Sequence, residues 1–450
     1  MSLRTRRGGS FRSAVALAAA TLTLAACTGG STPASTDPGD VEGDIVPRPI
    51  SWLLSRPADG AVITTIQEIA ADYALTHPGF ELELITTPDR PSYLQKLETL
   101  AAANQLPELF DTDATPFAAK LRDQGKMVDV EALLTELDIY DDYRPAALEY
   151  QRFDDGSLYL LPFEFGIEVF WYNTELFAAA GLEVPSTLDD IVDLCGPLRE
   201  QGVIPIAMAG ADQWPLERWI SYYPFRAAGP EYVSELRTGE ASMAEEPGAA
   251  AASWIYDLGQ AGCFADGFSS ASYTDARDLF TSGQAAVYNM GTWELPTMAD
   301  PDLPIADSID YFTLPTVDGA VTAENEYVAP SGIGAALSSA SFDPLVKDFV
   351  SYMLREYPAR YAALGAFGPT LGVEVTRPAG ATEIFDRAAA EMENVGDVVA
   401  MPWDTQLDPT SNTRLQQELT LLAQGDTTPE AFIATMDATI ADHAPGYFGN

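Results

Sequence analysis

The strongest constraint on the fold is a regular alternation of strand-like and helix-like segments near the start of the chain. Short apolar or alternating runs predict strands, while Ile66, Ile69, Ala70 and Tyr73 form a helical apolar stripe. Pro78 ends that helix, because the residue before a proline avoids the helical conformation. The segments are a strand at 50–54, a helix at 63–75, a strand at 80–85, a helix at 93–103 and a strand within 106–110. This order predicts an α/β fold with an open, largely parallel sheet.

The alternation continues towards the C-terminus. The apolar and aromatic segment 159–172 is expected to be extended, and Ser186 is predicted to cap a helix, with Asp189 three residues later. Gly181 and Gly425 are expected to end helices. Further strands are predicted at 203–208, 285–290 and 309–314, and further helices at 174–180, 275–282, 344–355 and in two pieces between 413 and 442.

The N-terminus predicts export. Four arginines lie within the first twelve residues, and the apolar run 14–26 is too short to span a bilayer comfortably, which is typical of a signal peptide. The run ends in Leu24-Ala25-Ala26-Cys27, which resembles a bacterial lipobox. We therefore expect residues 1–26 to be a signal peptide and residues 27–44 to be a lipidated cysteine with a flexible tether. A plain signal peptide that ends near a cysteine is the alternative. Arg6-Arg7 hints at twin-arginine export, but the residues that follow fit that signal poorly.

Charge excludes one class of partner. The chain has 67 acidic and 24 basic residues, for a formal net charge of -43. Such a field repels nucleic acid and anionic membrane surfaces, so we exclude polynucleotide partners.

Histidine content argues against most enzyme classes. The chain contains only His77 and His443, so metal-binding helix motifs and histidine triads lack parts. We expect no metal site and no cofactor. Carboxylates are abundant, so a glycoside hydrolase with two catalytic carboxylates is the one enzyme that composition leaves open.

Two cysteines remain in the body of the chain, Cys195 and Cys263. Exported thiols tend to pair, so we predict a disulfide between them. Two separate buried thiols are the alternative.

A series of short motifs resembles one protein family. The motifs, in chain order, are His77-Pro78-Gly79-Phe80-Glu81-Leu82, Leu106-Pro107-Glu108-Leu109-Phe110, Leu158-Tyr159-Leu160-Leu161-Pro162, Trp171-Tyr172-Asn173-Thr174-Glu175-Leu176-Phe177, Gly181-Leu182, Pro185-Ser186-Thr187, Phe280-Thr281-Ser282-Gly283-Gln284-Ala285-Ala286, Gly291-Thr292-Trp293 and Thr428-Pro429-Glu430-Ala431. Together they resemble the sugar-type extracellular solute-binding proteins of ABC importers, the relatives of maltose-binding protein. The order of the motifs covers nearly all of the mature chain. One departure is Glu108, where that family usually has aspartate.

The resemblance implies two α/β lobes that close on a ligand. We expect lobe 1 to comprise residues 45–162 and 316–360, and lobe 2 to comprise residues 163–315 and 361–450. The chain would then cross between lobes near Leu161-Pro162, Leu314-Pro315 and Tyr361. The resemblance further implies a monomer, anchored by its lipid at the outer face of the cell membrane, that delivers a carbohydrate to an ABC permease.

Sugars present C–H faces that stack on aromatic rings and hydroxyls that bind carboxylates, amides and arginine. Trp293 matches the stacking aromatic of the family, with a core tryptophan as the alternative. Asp111 and Asp113 follow a buried strand, where open α/β sheets bind ligands, although this segment could instead cap a helix.

Four more residues are candidates for the same cleft. Arg56 follows the first strand, with a plain surface arginine as the alternative, and alternation after the first crossing favours Glu164. Trp214 and Trp403 lie beside prolines in expected loops and could stack on a sugar or simply pack. A same-fold binder of a non-sugar solute, such as a polyamine or a phosphodiester, is a further alternative function.

Overall fold

The computed structural model describes residues 37–56, 60–87, 90–396 and 398–448. The predicted signal peptide, Cys27 and the first part of the predicted tether lie outside the described residues. The predictions for them therefore stay predictions.

The described residues form two four-stranded sheets. The strands are β1 (Pro49–Leu53), β2 (Glu81–Ile85), β3 (Leu109–Thr112), β4 (Glu168–Asn173), β5 (Ile204–Ala207), β6 (Ala285–Gly291), β7 (Ile309–Phe312) and β8 (Gly334–Leu337). The first sheet has the order β2-β1-β3-β8, with β1 parallel to β2 and β3, and β8 antiparallel to β3. The second has the order β5-β6-β4-β7, with β5 parallel to β6, and β4 antiparallel to both β6 and β7. The predicted α/β class with two sheets is confirmed.

Helices flank both sheets. They are α1 (Ala61–Thr76), α2 (Arg90–Ala102), α3 (Pro116–Asp123), α4 (Val130–Glu136), α5 (Pro145–Glu149), α6 (Thr174–Ala180), α7 (Leu188–Glu200), α8 (Trp214–Ala228), α9 (Tyr232–Thr238), α10 (Gly248–Gln260), α11 (Tyr273–Thr281), α12 (Leu295–Met298), α13 (Pro344–Ala363), α14 (Ile384–Met392), α15 (Trp403–Gln406), α16 (Pro409–Gln424) and α17 (Pro429–Phe448). Gly181 and Gly425 end α6 and α16 in the left-handed conformation, as the sequence predicts.

The centre of the first sheet is covered on both faces, because successive side chains of a strand point to opposite sides. Trp52 of β1 packs in one apolar core with Ile63 of α1 and Phe349 of α13. Leu53, the next residue, packs in the other core with Tyr93 of α2. This double cover explains why Trp52 and Leu53 are both apolar although they are consecutive.

The second sheet lies in a separate and larger core. Every residue of β4 and β6 is buried. α8, α10 and α16 pack against one another and contribute Trp219, Trp254 and Leu419 to this core.

The chain passes between the two cores more than once. Phe163 is buried in the first core and Phe165 in the second, close to the crossing predicted at Leu161-Pro162. A crossing near Leu314-Pro315 stays a prediction. Val317 and Ala329 still pack in the second core, and Ala335 is the next residue in the first.

The structure narrows one local prediction and corrects another. Only β4 is a strand within the segment 159–172, because the preceding residues make an isolated bridge from Leu161 to Ala335 rather than a ladder. The cap of α7 is Thr187 rather than Ser186. Its hydroxyl accepts a hydrogen bond from the backbone N–H of Asp190, whose carboxylate in turn accepts from the backbone N–H of Thr187.

The predicted disulfide between Cys195 and Cys263 is present. Both residues are fully buried in the second core. The bond ties α7 to the segment that follows α10.

Gly259 allows α10 to approach α16 closely. A Cβ atom at this position would lie 2.0 Å from the carbonyl oxygen of Ala423, and a backbone atom in a packed helix cannot move aside. Gly196 of α7 is also helical, but a Cβ there would meet nothing within 4 Å.

We therefore expect Gly259→Ala to lower the free energy of unfolding by about 1–3 kcal/mol, the usual cost of overpacking. The matched control Gly196→Ala should raise it by about 0.4–1 kcal/mol, because alanine restricts the unfolded chain. Urea unfolding followed by circular dichroism measures both. Equal effects of the two substitutions would show that the close approach of α10 and α16 is not a constraint.

Candidate functional site

A cavity of about 500 Å³ lies where residues from both apolar cores meet. Its walls come from the loop after β1, the start of α1, both crossing segments, the start of α8, the segment after β6, the segment after α13, and α15. The lining side chains combine aromatic rings with charged groups. Such a cavity lies within the size range of small-molecule sites, which is about 300–1,000 Å³.

Arg56 forms the charged centre of one wall. Its Nε lies 3.1 Å from Oδ2 of Asp111, and its Nη1 lies 3.9 Å from Oε1 of Glu164. Its Nη2 donates a hydrogen bond to the carbonyl oxygen of Ile333, and the guanidinium lies 5.6 Å from the ring centre of Phe163. These contacts join the end of β1 to both crossing segments.

Asp111 holds Arg56 in place from behind the wall. It is fully buried and accepts hydrogen bonds from Nε1 of Trp52 at 3.0 Å and from the backbone N–H of Ser55 at 2.8 Å, besides its bond with Arg56. Its carboxylate therefore does not line the cavity. This corrects the prediction that Asp111 contacts a ligand and gives it a positioning role.

Glu164 reaches the cavity from the first crossing segment. Burial raises the pKa of its carboxyl group, and the positive charge of Arg56 opposes that rise. The side chain packs against Gly332, which has a φ of 69°, and a Cβ at that glycine would lie 2.2 Å from Oε1 of Glu164. Glycine at position 332 thus fits both the left-handed backbone and the space that Glu164 occupies.

A second buried ionic cluster lies on the other side of the cavity. Arg218 of α8 bonds to Oε1 of Glu168 at 3.0 Å and to Oδ1 of Asp404 at 2.6 Å. Burial raises the pKa of Glu168, and Arg218 opposes the rise. Tyr222 lies beside this cluster and donates a hydrogen bond to Oδ1 of Asn289 at 2.8 Å.

Two tryptophans contribute to the aromatic part of the lining. The ring centres of Trp214 and Trp293 are 6.3 Å apart, and Trp293 is 38% exposed although its ring is large and apolar. Nε1 of Trp293 donates a hydrogen bond to the hydroxyl of Tyr273 at 2.9 Å. Gly291 lets the Trp293 ring fold over the backbone, since a Cβ there would lie 2.0 Å from Cζ3 of the ring.

Five of the seven predicted binding residues line this cavity: Arg56, Asp113, Glu164, Trp214 and Trp293. The other two are Asp111, described above, and Trp403. Trp403 is 3% exposed and packs against Tyr232 with ring centres 6.1 Å apart. Trp214 and Trp403 do not lie in loops; they are the first residues of α8 and α15. The next residues after Trp403, Asp404 and Thr405, do line the cavity.

Sequence reasoning missed the second ionic cluster, Glu168, Arg218 and Asp404, together with Tyr150 in the lining. One signal was present: Glu168 stands among apolar residues at the start of a fully buried strand. A carboxylate in such a position needs a partner. That partner, Arg218, is one of the few basic residues of the chain.

Two negative findings apply to the described part of the chain. No helix there is long and apolar enough to cross a membrane. No group of three or more His, Cys, Asp or Glu side chains in that part is arranged to hold a metal ion.

Comparison with known proteins assigns the chain to a family. The sequence profile of the bacterial extracellular solute-binding proteins matches residues 59–356. An uncharacterized ABC transporter extracellular-binding protein of Pyrococcus horikoshii is 26% identical over 318 residues, which is 68% of this chain and 70% of that protein. An alpha-glucosides-binding periplasmic protein of Rhizobium meliloti is 24% identical over 208 residues, which is 44% of this chain and 45% of that protein.

A solved structure has the same fold. A chitin oligosaccharide binding protein superposes with a TM-score of 0.77 at 22% sequence identity, covering 90% of this chain and 100% of that chain. The fold of two sheets flanked by helices is therefore that of the periplasmic-binding-protein-like proteins. The chain belongs to the bacterial extracellular solute-binding protein family.

Proposed function

We propose that this protein is the solute-binding component of an ABC importer and that it takes a sugar or short oligosaccharide into the cavity between its two cores. One observation carries the proposal. The exposed ring of Trp293 and the half-buried ring of Trp214 share one cavity with the charged groups of Arg56, Glu164 and Asp113. Aromatic faces stack on the C–H faces of sugar rings, while carboxylates and guanidinium groups bind the hydroxyls.

The relatives support this choice of solute. The similar proteins include one named for binding alpha-glucosides and one named for binding chitin oligosaccharide. The sugars differ between the two, so similarity favours the class of ligand without favouring one sugar.

We further propose that the two cores belong to two lobes that close on the ligand. Lobe 1 would hold residues 45–162 and the stretch from β8 to residue 360, and lobe 2 would hold most of the rest. The residues between Ala329 and Ala335 would be one of the connections, and Pro330, Gly332 and Ile333 of this stretch line the cavity. A ligand that contacts both lobes would favour the closed state, because it binds that state better.

The proposed function is tested by a thermal-shift screen of the purified mature protein. The panel contains alpha-glucosides, chitin oligosaccharides, other oligosaccharides, polyamines and phosphodiesters. A sugar present at a hundred times its dissociation constant should add about 2.7 kcal/mol to the free energy of unfolding. Stabilisation by a non-sugar solute alone would contradict the proposal, and sustained release of reducing ends from the sugars would favour a glycoside hydrolase.

Trp293→Ala should weaken binding of the sugar that the screen identifies. Truncating a stacking aromatic costs about 1–3 kcal/mol, which is roughly tenfold to a hundredfold in affinity. The melting temperature of the ligand-free protein should change little, because an exposed ring leaves no cavity in the core. Calorimetric titration and a melting curve on the same variant decide between the two roles. Unchanged affinity with a large drop in melting temperature would make Trp293 a packing residue.

We also propose that Cys27 carries a lipid and that the mature protein is held as a monomer at the outer face of the membrane, next to its permease. The lipobox and the polar segment behind it support this anchor. Cells fed a fatty-acid analogue should label the wild-type protein and not Cys27→Ala, since the thiol is the acceptor. Equal labelling of the two proteins would contradict the anchor.

A further inference from the structure

The walls of the cavity carry more negative than positive charge. Among the described residues of the lining, the carboxylates are Asp113, Glu164, Glu168 and Asp404, and the guanidinium groups are Arg56 and Arg218. Asp111 adds a further carboxylate directly behind Arg56.

Both guanidinium groups already have carboxylate partners. Arg218 bonds to Glu168 and Asp404, with side chains that are 3% and 13% exposed. Arg56 bonds to the fully buried Asp111. A ligand carboxylate entering the cavity would therefore compete with protein carboxylates for each of these cations.

Arg56 and Glu164 leave a narrow gap whose two sides are a hydrogen-bond donor and an acceptor. Nη1 of Arg56 and Oε1 of Glu164 are 3.9 Å apart, which is too long for a direct hydrogen bond. Nη1 is buried and has no hydrogen-bond partner among the described residues. A ligand hydroxyl at the mouth of this gap can donate its proton to Glu164, whose side chain is 26% exposed, and it can accept from Arg56 once Nη1 is uncovered.

A ligand carboxylate in the same gap meets a different situation. Its oxygen can accept from Arg56, but it has no proton to donate to Glu164, so two negatively charged oxygens face each other. Like charges at short range in a partly desolvated site repel strongly. The gap therefore distinguishes a hydroxymethyl group from the carboxylate into which oxidation converts it.

We propose that the cavity selects uncharged sugars over anionic ones and that Glu164 is the residue that sets this preference. The inference rests on the sugar-binding function proposed above. It concerns the charge of the sugar and leaves the identity of its rings open.

The test uses disaccharides in matched pairs that differ only by oxidation of C6 hydroxymethyl groups to carboxylates. The pairs are maltose and maltobiouronate, cellobiose and cellobiouronate, and galactobiose and digalacturonate. Affinities are measured by calorimetry in a mildly alkaline buffer, which keeps the carboxyl groups ionised. We expect the wild-type protein to bind the neutral member of at least one pair at least tenfold more tightly than its anionic counterpart.

Glu164→Gln should reduce or reverse that ratio. The amide has nearly the same size, fits against Gly332 and keeps an oxygen that accepts from the ligand hydroxyl, but it removes the charge. We expect affinity for the anionic sugar to rise at least tenfold relative to the neutral one. The control Glu183→Gln removes the same charge from an exposed residue outside the lining and should leave the ratio unchanged. Glu164→Ala, which cannot clash with Gly332, serves if the glutamine variant does not fold.

The outcomes separate the two proposals. Equal binding of both members of every pair that binds, or tighter binding of a uronate, would overturn the charge selection while leaving sugar binding intact. A ratio that Glu164→Gln and Glu164→Ala leave unchanged would overturn the role of Glu164. Binding of no sugar, neutral or anionic, in this test and in the wider screen would remove the proposed function and this inference with it.

Discussion

The buried ion pair between Arg56 and Asp111 connects the first sheet to the cavity. Asp111 belongs to β3 and accepts hydrogen bonds from Trp52 of the neighbouring strand β1 and from the loop that follows it. Arg56 in turn donates a hydrogen bond to the carbonyl oxygen of Ile333 and lies close to Glu164, and these two residues lie on the two crossing segments. Removing either partner would leave an uncompensated charge in the interior, which typically costs about 3–5 kcal/mol. The pair therefore links the stability of the first core to the geometry of the ligand wall.

The second core uses a similar arrangement with different residues. Glu168 stands at the start of β4, Arg218 on α8 and Asp404 on α15, and the packing of α8 against α15 brings them together. Each core thus presents an arginine to the cavity, and in each case a carboxylate from a central strand fixes its position. Trp214 lies over the guanidinium of Arg218, with the charge 5.0 Å from the ring centre. That contact orients the ring that we propose stacks on the sugar.

More of the fold than of the candidate site could be predicted from the sequence. Periodicity located β1, β2, β5, β6 and β7 to within a few residues, because each strand is a short apolar or alternating run between turn signals. The helices between 214 and 260 were not predicted. Pro224 lies within α8, and proline is normally a sign that a helix has ended. The residues before β4 are extended but do not pair with a neighbouring strand in a continuous ladder. No sequence pattern distinguishes such a segment from a true strand.

The residues of the candidate site divide in the same way into those that the sequence reveals and those that it does not. Arg56, Asp113 and Glu164 follow strands or crossings that the sequence itself reveals, so their place near the cavity could be inferred. Arg218 and Asp404 lie 186 residues apart in the sequence, and only tertiary packing brings them together. Trp403 and Asp404 show the limit of prediction from sequence. They are adjacent in the chain, but Trp403 faces the core and Asp404 faces the cavity.

Two glycines shape the candidate site because they have no side chain. At Gly332 and Gly291 the space that a Cβ would take is filled by Glu164 and by the Trp293 ring, respectively. Both glycines lie in segments that line or border the cavity, so the backbone there serves as a surface on which a side chain of the candidate site rests. Side chains supported in this way are held in position before a ligand arrives, which reduces the entropy lost on binding. The glycines at these two positions therefore contribute to the site through the space that they leave free.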